Sequence, residues 1–250
     1  MKKLIIFDLD GTLTSSKSPM DSEMAGLLGK LLRTKMVAII SGSFLPQFQR
    51  QFLGNLRAEP EALKNLYLFP TCGAAFYQYH AGTATWDEVY TERLTPQEKV
   101  RIAQAFINTF REQHYKHPET IYGDVLEDRG TQIAFSAFGQ EAPLVLKQGW
   151  DPDAQKRLKI VSGLQKYIPD FNAHIGGTTS IDVTRKGIDK AYGIKKMEEH
   201  LGVTKSEMLF VGDKIFPGGN DYPAKAVGVE CMPVENPDDT KGLIRTLLVG

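Results

Sequence analysis

The sequence has no long apolar run. Its first such run, Leu4-Ile5-Ile6-Phe7, is closed by Asp8, and a bilayer-spanning helix needs about 20 apolar residues. A secretory leader also needs a longer apolar stretch than this. Neither is expected, and the cytoplasm is the expected compartment. Cysteine is scarce. Cys72 and Cys231 are the only 2, too few for a disulfide framework or a cysteine metal site, and both are expected as small core residues. No charge sign dominates either. The 30 Lys plus Arg balance 30 Asp plus Glu, so neither nucleic acid nor another polyanion is expected as a partner, and no membrane partner is expected. Internal repeats, low-complexity tracts and long linkers are absent.

What is present is an alternation of short apolar strands with amphipathic helices. Residues 3–10 and 36–40 are apolar on both faces, as strands inside a parallel sheet are. Residues 66–69 and 208–211 read alike, and 228–232 reads as a further strand. Helices are expected over 21–32, 44–53, 190–201 and 240–248. Residues 71–90 read as short antiparallel strands leading out of the first domain. A helix over 95–113 opens with Thr95 as cap and Pro96 in its first turn. A second helix over 153–167 and strands near 132–138, 173–175 and 180–183 complete an α+β segment. The expected fold is α/β: a doubly wound, mostly parallel core from residues 1–85 and 186–250, with an α+β cap inserted over 86–185. The aromatics Phe76, Tyr77, Tyr79 and Trp86 are read as packing the junction of core and cap, not as a stacking surface for nucleic acid.

The chemistry gathers at strand ends. In Asp8-Leu9-Asp10-Gly11-Thr12, residues two apart share one side of an extended strand. Asp8 and Asp10 can therefore reach one site where open α/β sheets bind ligands. Two carboxylates there repel unless a cation or a shared proton intervenes, and Mg2+ suits their oxygen ligands. One carboxylate can attack phosphorus while the other moves protons. Alone, this pattern also fits a phospho-receiver or a nucleotide pocket. Ser41, beside Gly42, follows the second strand and can grip phosphoryl oxygens through its hydroxyl and nearby N–H groups. Lys190 opens a helix and can offset charge on nucleophile and phosphoryl group. Beyond the strand 208–211, Asp213 can complete a metal shell, while Asn220 and Asp221 can orient ligands or bind Lys190.

Taken together and in order, Asp8-Leu9-Asp10-Gly11-Thr12-Leu13-Thr14, Ser41, Lys190 and Gly212-Asp213…Asn220-Asp221 resemble the four motifs of the haloacid dehalogenase superfamily. The long insert resembles the C2b cap class (subfamily IIB), which holds Cof-type sugar phosphatases and eukaryotic-type phosphomannomutases. The likeness to phosphomannomutases extends to Gly212–Asp221, to Ile188-Asp189-Lys190, and to the sugar-holding stretch Gly176–Val183. The resemblance implies a phosphoaspartate on Asp8 and an acid/base role for Asp10. It implies Mg2+ held by Asp8, the Asp10 carbonyl and Asp213, with Ser41 and Lys190 holding the transferring group. It further implies sugar phosphate recognition through Lys17, Arg129, Lys147, Ser180 and Asp182.

The sequence departs from the family where several arginines clamp the distal phosphate of the sugar. Arg129 matches one, but Gln140 is neutral, and Lys147 and Lys17 stand where arginine is expected. Lysine keeps the charge and loses the planar fork. A mutase must hold a bisphosphorylated sugar, whereas a phosphatase need only admit water. The weakened clamp therefore favours a magnesium-dependent phosphatase acting on sugar phosphates or similar small phosphomonoesters. The alternative is a phosphomannomutase-like hexose phosphomutase, and more remotely a non-catalytic binder of a phosphorylated metabolite.

Overall fold

A computed structural model describes residues 2–15, 18–176 and 178–249, the side chain of Leu144 excepted. In chain order its strands are β1 (Leu4–Phe7), β2 (Met36–Ile40), β3 (Leu66–Phe69), β4 (Ala75–His80), β5 (Thr85–Thr91), β6 (Leu126–Asp128), β7 (Gln132–Ser136), β8 (Phe171–Ile175), β9 (Ser180–Arg185), β10 (Met208–Gly212) and β11 (Glu230–Pro233). The chain divides into two compact units. One comprises Met1–Thr91 with Ile188–Gly250, and the other Glu92–Gly187.

The first unit is built on a seven-stranded sheet of order β11-β10-β1-β2-β3-β4-β5. From β11 to β3 every pairing is parallel. β4 and β5 then run antiparallel as an edge hairpin. Alternation along the parallel strands sends residues to opposite faces. Ile5, Phe7, Val37, Ile39, Leu209 and Val211 join one core, with the helices Ser22–Leu31 and Pro237–Val249 supplying residues such as Met24, Leu28 and Ile244. Leu4, Ile6, Ala38, Ile40, Met208 and Phe210 join the other, with Ile194 and Met197 of the helix Lys190–Leu201. Both faces are thus covered, which is why these strands read as continuous apolar runs.

The second unit has a four-stranded antiparallel sheet of order β6-β7-β9-β8. Helices Pro96–Glu112 and Gln155–Tyr167 share a separate core with it, including Phe106, Phe135, Leu164, Ile181 and Val183. Thr95 and Glu98 form a reciprocal capping box at the first helix. No helix among the described residues is long and apolar enough to cross a membrane.

The boundaries differ from those read in the sequence. β5 pairs along its length with β4 and so belongs to the large sheet, which moves the first boundary from 85/86 to 91/92. The second falls at 187/188 rather than 185/186, two residues beyond the end of β9 at Arg185. The aromatic cluster follows the same correction. Phe76 stacks on Phe69 with ring centroids 4.5 Å apart, inside the large sheet's own core. Tyr77 and Trp86 pack against the opposite core of that sheet. Cys72 and Cys231 are free and half-buried, and burial pushes both thiols up to about 11, so they behave as neutral packing groups.

Candidate active site

Parallel pairing puts three strand ends side by side. Phe7 lies level with Val211 on one side and Ile39 on the other. The next residues, Asp8, Gly212-Asp213 and Ile40-Ser41, therefore emerge at one edge of the sheet. The Asp8 amide continues the ladder by donating to the Val211 carbonyl at 3.0 Å. Gly11, at φ +91°, turns the chain back; a Cβ there would lie 2.5 Å from Asp213 Oδ2. Glycine at this position serves both the left-handed backbone and the close approach of Asp213.

Lys190 comes from the other side. Asp189 caps its helix by accepting from the Tyr192 amide at 3.1 Å. The helix packs tightly, since a Cβ on Gly73 would meet the Gly193 Cα at 2.5 Å. The Lys190 side chain is 0% exposed and its Nζ bonds both Asp8 Oδ1 and Asp221 Oδ1. Asp221 Oδ2 also accepts from the Lys214 amide at 2.9 Å. A Cβ on Gly212 would strike that same Oδ2 at 2.4 Å. Asp221 is thus fixed from two sides and acts as the anchor of Lys190.

The electrostatics are unbalanced toward negative charge. One oxygen from each of Asp8, Asp213 and Asp221 lies within 4.8 Å of the others. Burial raises the Asp8 carboxyl to about 7 against the pull of Lys190, and Asp221 and Asp213 add to the rise. Burial opposes the Lys190 charge too, but Asp8 and Asp221 outweigh it and hold the ammonium above its usual range. Three carboxylates around one buried ammonium favour a further cation. Asp213 Oδ1 is buried with no hydrogen-bond partner, so this oxygen is suited to ligate a cation. The donor set is all oxygen and suits a hard divalent ion. The acidic cluster therefore fits a metal.

Asp10 faces elsewhere. Its Oδ1 accepts from Gln51 Nε2 at 3.1 Å, and its Oδ2 accepts from the Ser43 hydroxyl at 3.4 Å. Its side chain does not join the acidic cluster. Ser41 is buried, and its Oγ accepts from the Ser43 amide at 3.1 Å. Gly42 beside it is exposed. The turn Thr71-Cys72 holds this loop through Thr71 N to Ser43 O at 2.9 Å and Cys72 N to Ser41 O at 2.8 Å. Both turn residues are left-handed, at φ 48° and 56°, and such strain gathers at functional sites. Asn220 is exposed on its loop and makes no described hydrogen bond to the cluster.

The second unit brings several other residues together around Gln140. Arg129 is held by Glu127 at 2.6 Å and by Asp182 at 3.6 Å, and Nη2 donates to Gln140 Oε1 at 3.3 Å. Lys147 Nζ donates to the Gln140 carbonyl at 2.9 Å. Ser180 and Asp182 lie two apart on β9, facing away from Ile181 and Val183 in the core. Lys17 lies outside the described residues. Sequence reading missed Gln51, Ser43 and Glu127. For Gln51 a signal exists: it stands three residues after Phe48 and one before Phe52, a polar group on an apolar helical stripe.

A parallel sheet with carboxylates at its strand ends and an inserted second unit defines a fold shared with known hydrolases. A haloacid dehalogenase-like hydrolase from Bacteroides thetaiotaomicron superposes with a TM-score of 0.62 at 17% identity, covering 99% of this chain and 100% of that one. The IMP-bound IMP-nucleotidase of Plasmodium falciparum, truncated at its N-terminus, gives 0.72 at 16% identity, covering 100% and 68%. These likenesses show that the chain has the fold of haloacid dehalogenase-like hydrolases. In sequence it is similar to the phosphomannomutase of Saccharomyces cerevisiae, 28% identical over 98% of this chain and 93% of the relative. The phosphomannomutase of Encephalitozoon cuniculi is 29% identical over 96% and 91%. The eukaryotic phosphomannomutase family model matches residues 24–249, and the chain belongs to that family.

Proposed function

We propose that this enzyme moves a phosphoryl group between the 1- and 6-hydroxyls of a hexose through an aspartyl phosphate on Asp8. The observation that carries phosphoryl transfer is the buried Asp8 held by Lys190, with Asp213 Oδ1 left unpartnered beside it. Family membership across both units supports the mutase over the phosphatase expected from the arginine clamp alone.

An Asp8 oxygen attacks phosphorus, and the bond from phosphorus to the sugar oxygen breaks, its electron pair passing to that oxygen. Asp10 supplies the proton that the departing oxygen needs, and recovers one when the other hydroxyl attacks the aspartyl phosphate. Lys190 offsets charge on the transferring group, and Asp221 keeps Lys190 in place. The Ser41 hydroxyl and the Gly42 amide hold phosphoryl oxygens. Asp8, Asp213 and the Asp10 carbonyl are the residues that would hold Mg2+, whose charge favours the crowded anionic oxygens. Arg129, Lys147, Ser180 and Asp182 are assigned, with Lys17, to recognition of the sugar phosphate.

A second reading, a phosphatase of sugar phosphates, keeps support from one observation. The Arg129 guanidinium is engaged by Glu127, Gln140 and Asp182, and a neutral Gln140 adds no charge for a distal phosphate. One paired assay separates the two. With Mg2+ and a trace of hexose 1,6-bisphosphate, mannose or glucose 1-phosphate is followed for conversion to the 6-phosphate and for release of inorganic phosphate. Conversion that depends on the bisphosphate and outruns release is expected. Release without conversion would replace the mutase with the phosphatase.

A further inference from the structure

Gln51 belongs to none of the four motifs, yet its side chain reaches the acid/base residue. Its Nε2 donates to Asp10 Oδ1 at 3.1 Å and lies 3.5 Å from the Ser18 carbonyl. The residue is 4% exposed. Its Oε1 is buried with no hydrogen-bond partner, a state that costs stability. A core position that needed only volume would be filled by leucine or methionine at no such cost.

The backbone explains how a glutamine comes to point there. Gln49–Leu53 is wound as a π-helix directly after the helical turn Leu45–Phe48. The wider winding adds a residue to the turn and rotates the residues after it, a device found mostly at functional positions. Phe48 and Phe52 remain fully buried on either side. The Gln51 carbonyl is fixed as well, accepting from the Met20 amide at 2.7 Å. The amide is therefore delivered to Asp10 from a rigid mount, while Ser43 touches the other carboxylate oxygen.

We infer that Gln51 is a positioning residue that holds the Asp10 carboxyl where it can hand a proton to the departing sugar oxygen. The inference rests on the acid/base role proposed for Asp10. It concerns one half of the chemistry: breaking the bond from phosphorus to a sugar oxygen, which leaves with the electron pair and must gain a proton. When acetyl phosphate is the donor, the same bond breaks but acetate departs without needing one. Loss of correct Asp10 placement should therefore slow phosphorylation of Asp8 by a sugar phosphate much more than phosphorylation by acetyl phosphate. A merely structural role would slow both alike.

The test is rapid-quench measurement of phosphoenzyme formation from mannose 6-phosphate and from acetyl phosphate, with Mg2+, in wild type, Gln51→Ala, Gln51→Glu and Asp10→Asn. Gln51→Ala should lower the ratio of the two rates about 10- to 100-fold. Gln51→Glu keeps the volume and guards against an alanine variant that fails to fold; its carboxylate repels Asp10, and the ratio should fall at least as far. Asp10→Asn should show the same bias. An unbiased Asp10→Asn overturns the acid/base reading and this inference with it. A biased Asp10→Asn beside Gln51 variants with the wild-type ratio overturns the role of Gln51 alone.

Discussion

At the scale of single residues, the site is a charge problem before it is a reaction. Asp8 and Asp221 share one buried ammonium, and Asp213, paired with Lys214 at 3.2 Å, brings a third carboxylate within 4.8 Å of them. Asp8→Asn removes a carboxylate whose charge burial disfavours. It should abolish turnover and, in the presence of chelator, raise the unfolding midpoint by roughly 2–8 °C. Thermal unfolding followed by circular dichroism reads this, and a lowered midpoint would contradict the charge count. Lys190→Met should do the reverse, leaving two buried carboxylates without their cation at a cost of about 3–5 kcal/mol. The double variant Asp8→Asn/Lys190→Met should recover more of that loss, in a denaturant titration, than Asp8→Asn gains alone. Additive effects would mean that the two side chains do not share their charge.

At the scale of elements, Glu98 links a helix to a strand. Its Oε2 accepts from the Thr95 amide at 2.6 Å, closing the capping box. The same carboxylate pairs with Arg185 of β9 through bonds of 2.7 and 2.8 Å. Arg185, with the Thr95 amide adding to it, holds the carboxyl down at about 2. A depressed carboxyl stabilises the fold fully above its unfolded pKa, and the gain fades as pH falls from about 4.5 toward about 2. Glu98→Gln should cost about 1–2 kcal/mol near neutrality. The gap between variant and wild type should narrow across that acid window, and a gap unchanged down to pH 2 would refute the linkage. This capping box was legible in Thr95-Pro96-Gln97-Glu98, because caps are local and carry their own residue types. The parallel strands were legible because burial on both faces leaves unbroken apolar runs such as Leu4–Phe7. The π-helical winding at Gln49–Leu53 was not, since helix and π-helix share one apolar pattern and differ by a single residue in register. The short strand Leu126–Asp128 and the helix Leu144–Trp150 lacked both length and side-chain caps. Asp8, Lys190, Asp213 and Asp221 could be picked from motif order alone. The pairing of Asp221 with Lys190 was among the roles its place in the fourth motif offered, whereas the reach of Gln51 to Asp10 depended on a contact between residues 41 positions apart.

At the scale of the whole molecule, each unit has its own core, and the acidic cluster belongs to one of them. Calorimetry should resolve two transitions. Phe106→Ala, which empties a site stacked against Phe135, should lower only the transition of residues 92–187, by about 3–5 kcal/mol. Millimolar Mg2+ should raise only the other transition, because a ligand stabilises what it binds. A metal-induced shift in the Phe106-sensitive transition would place the ion elsewhere.

The strand order also sets a timetable for synthesis. β1 sits between β2 and β10 in the finished sheet, and β10 begins only at Met208. A nascent chain therefore presents β1, the strand that leads into Asp8, with one edge unpaired until the whole of the second unit has been translated. Such an edge can recruit a strand from another chain. Lys190, Asp213 and Asp221 arrive late in the chain, so a polypeptide stalled before them carries Asp8 without the ammonium that pairs with it.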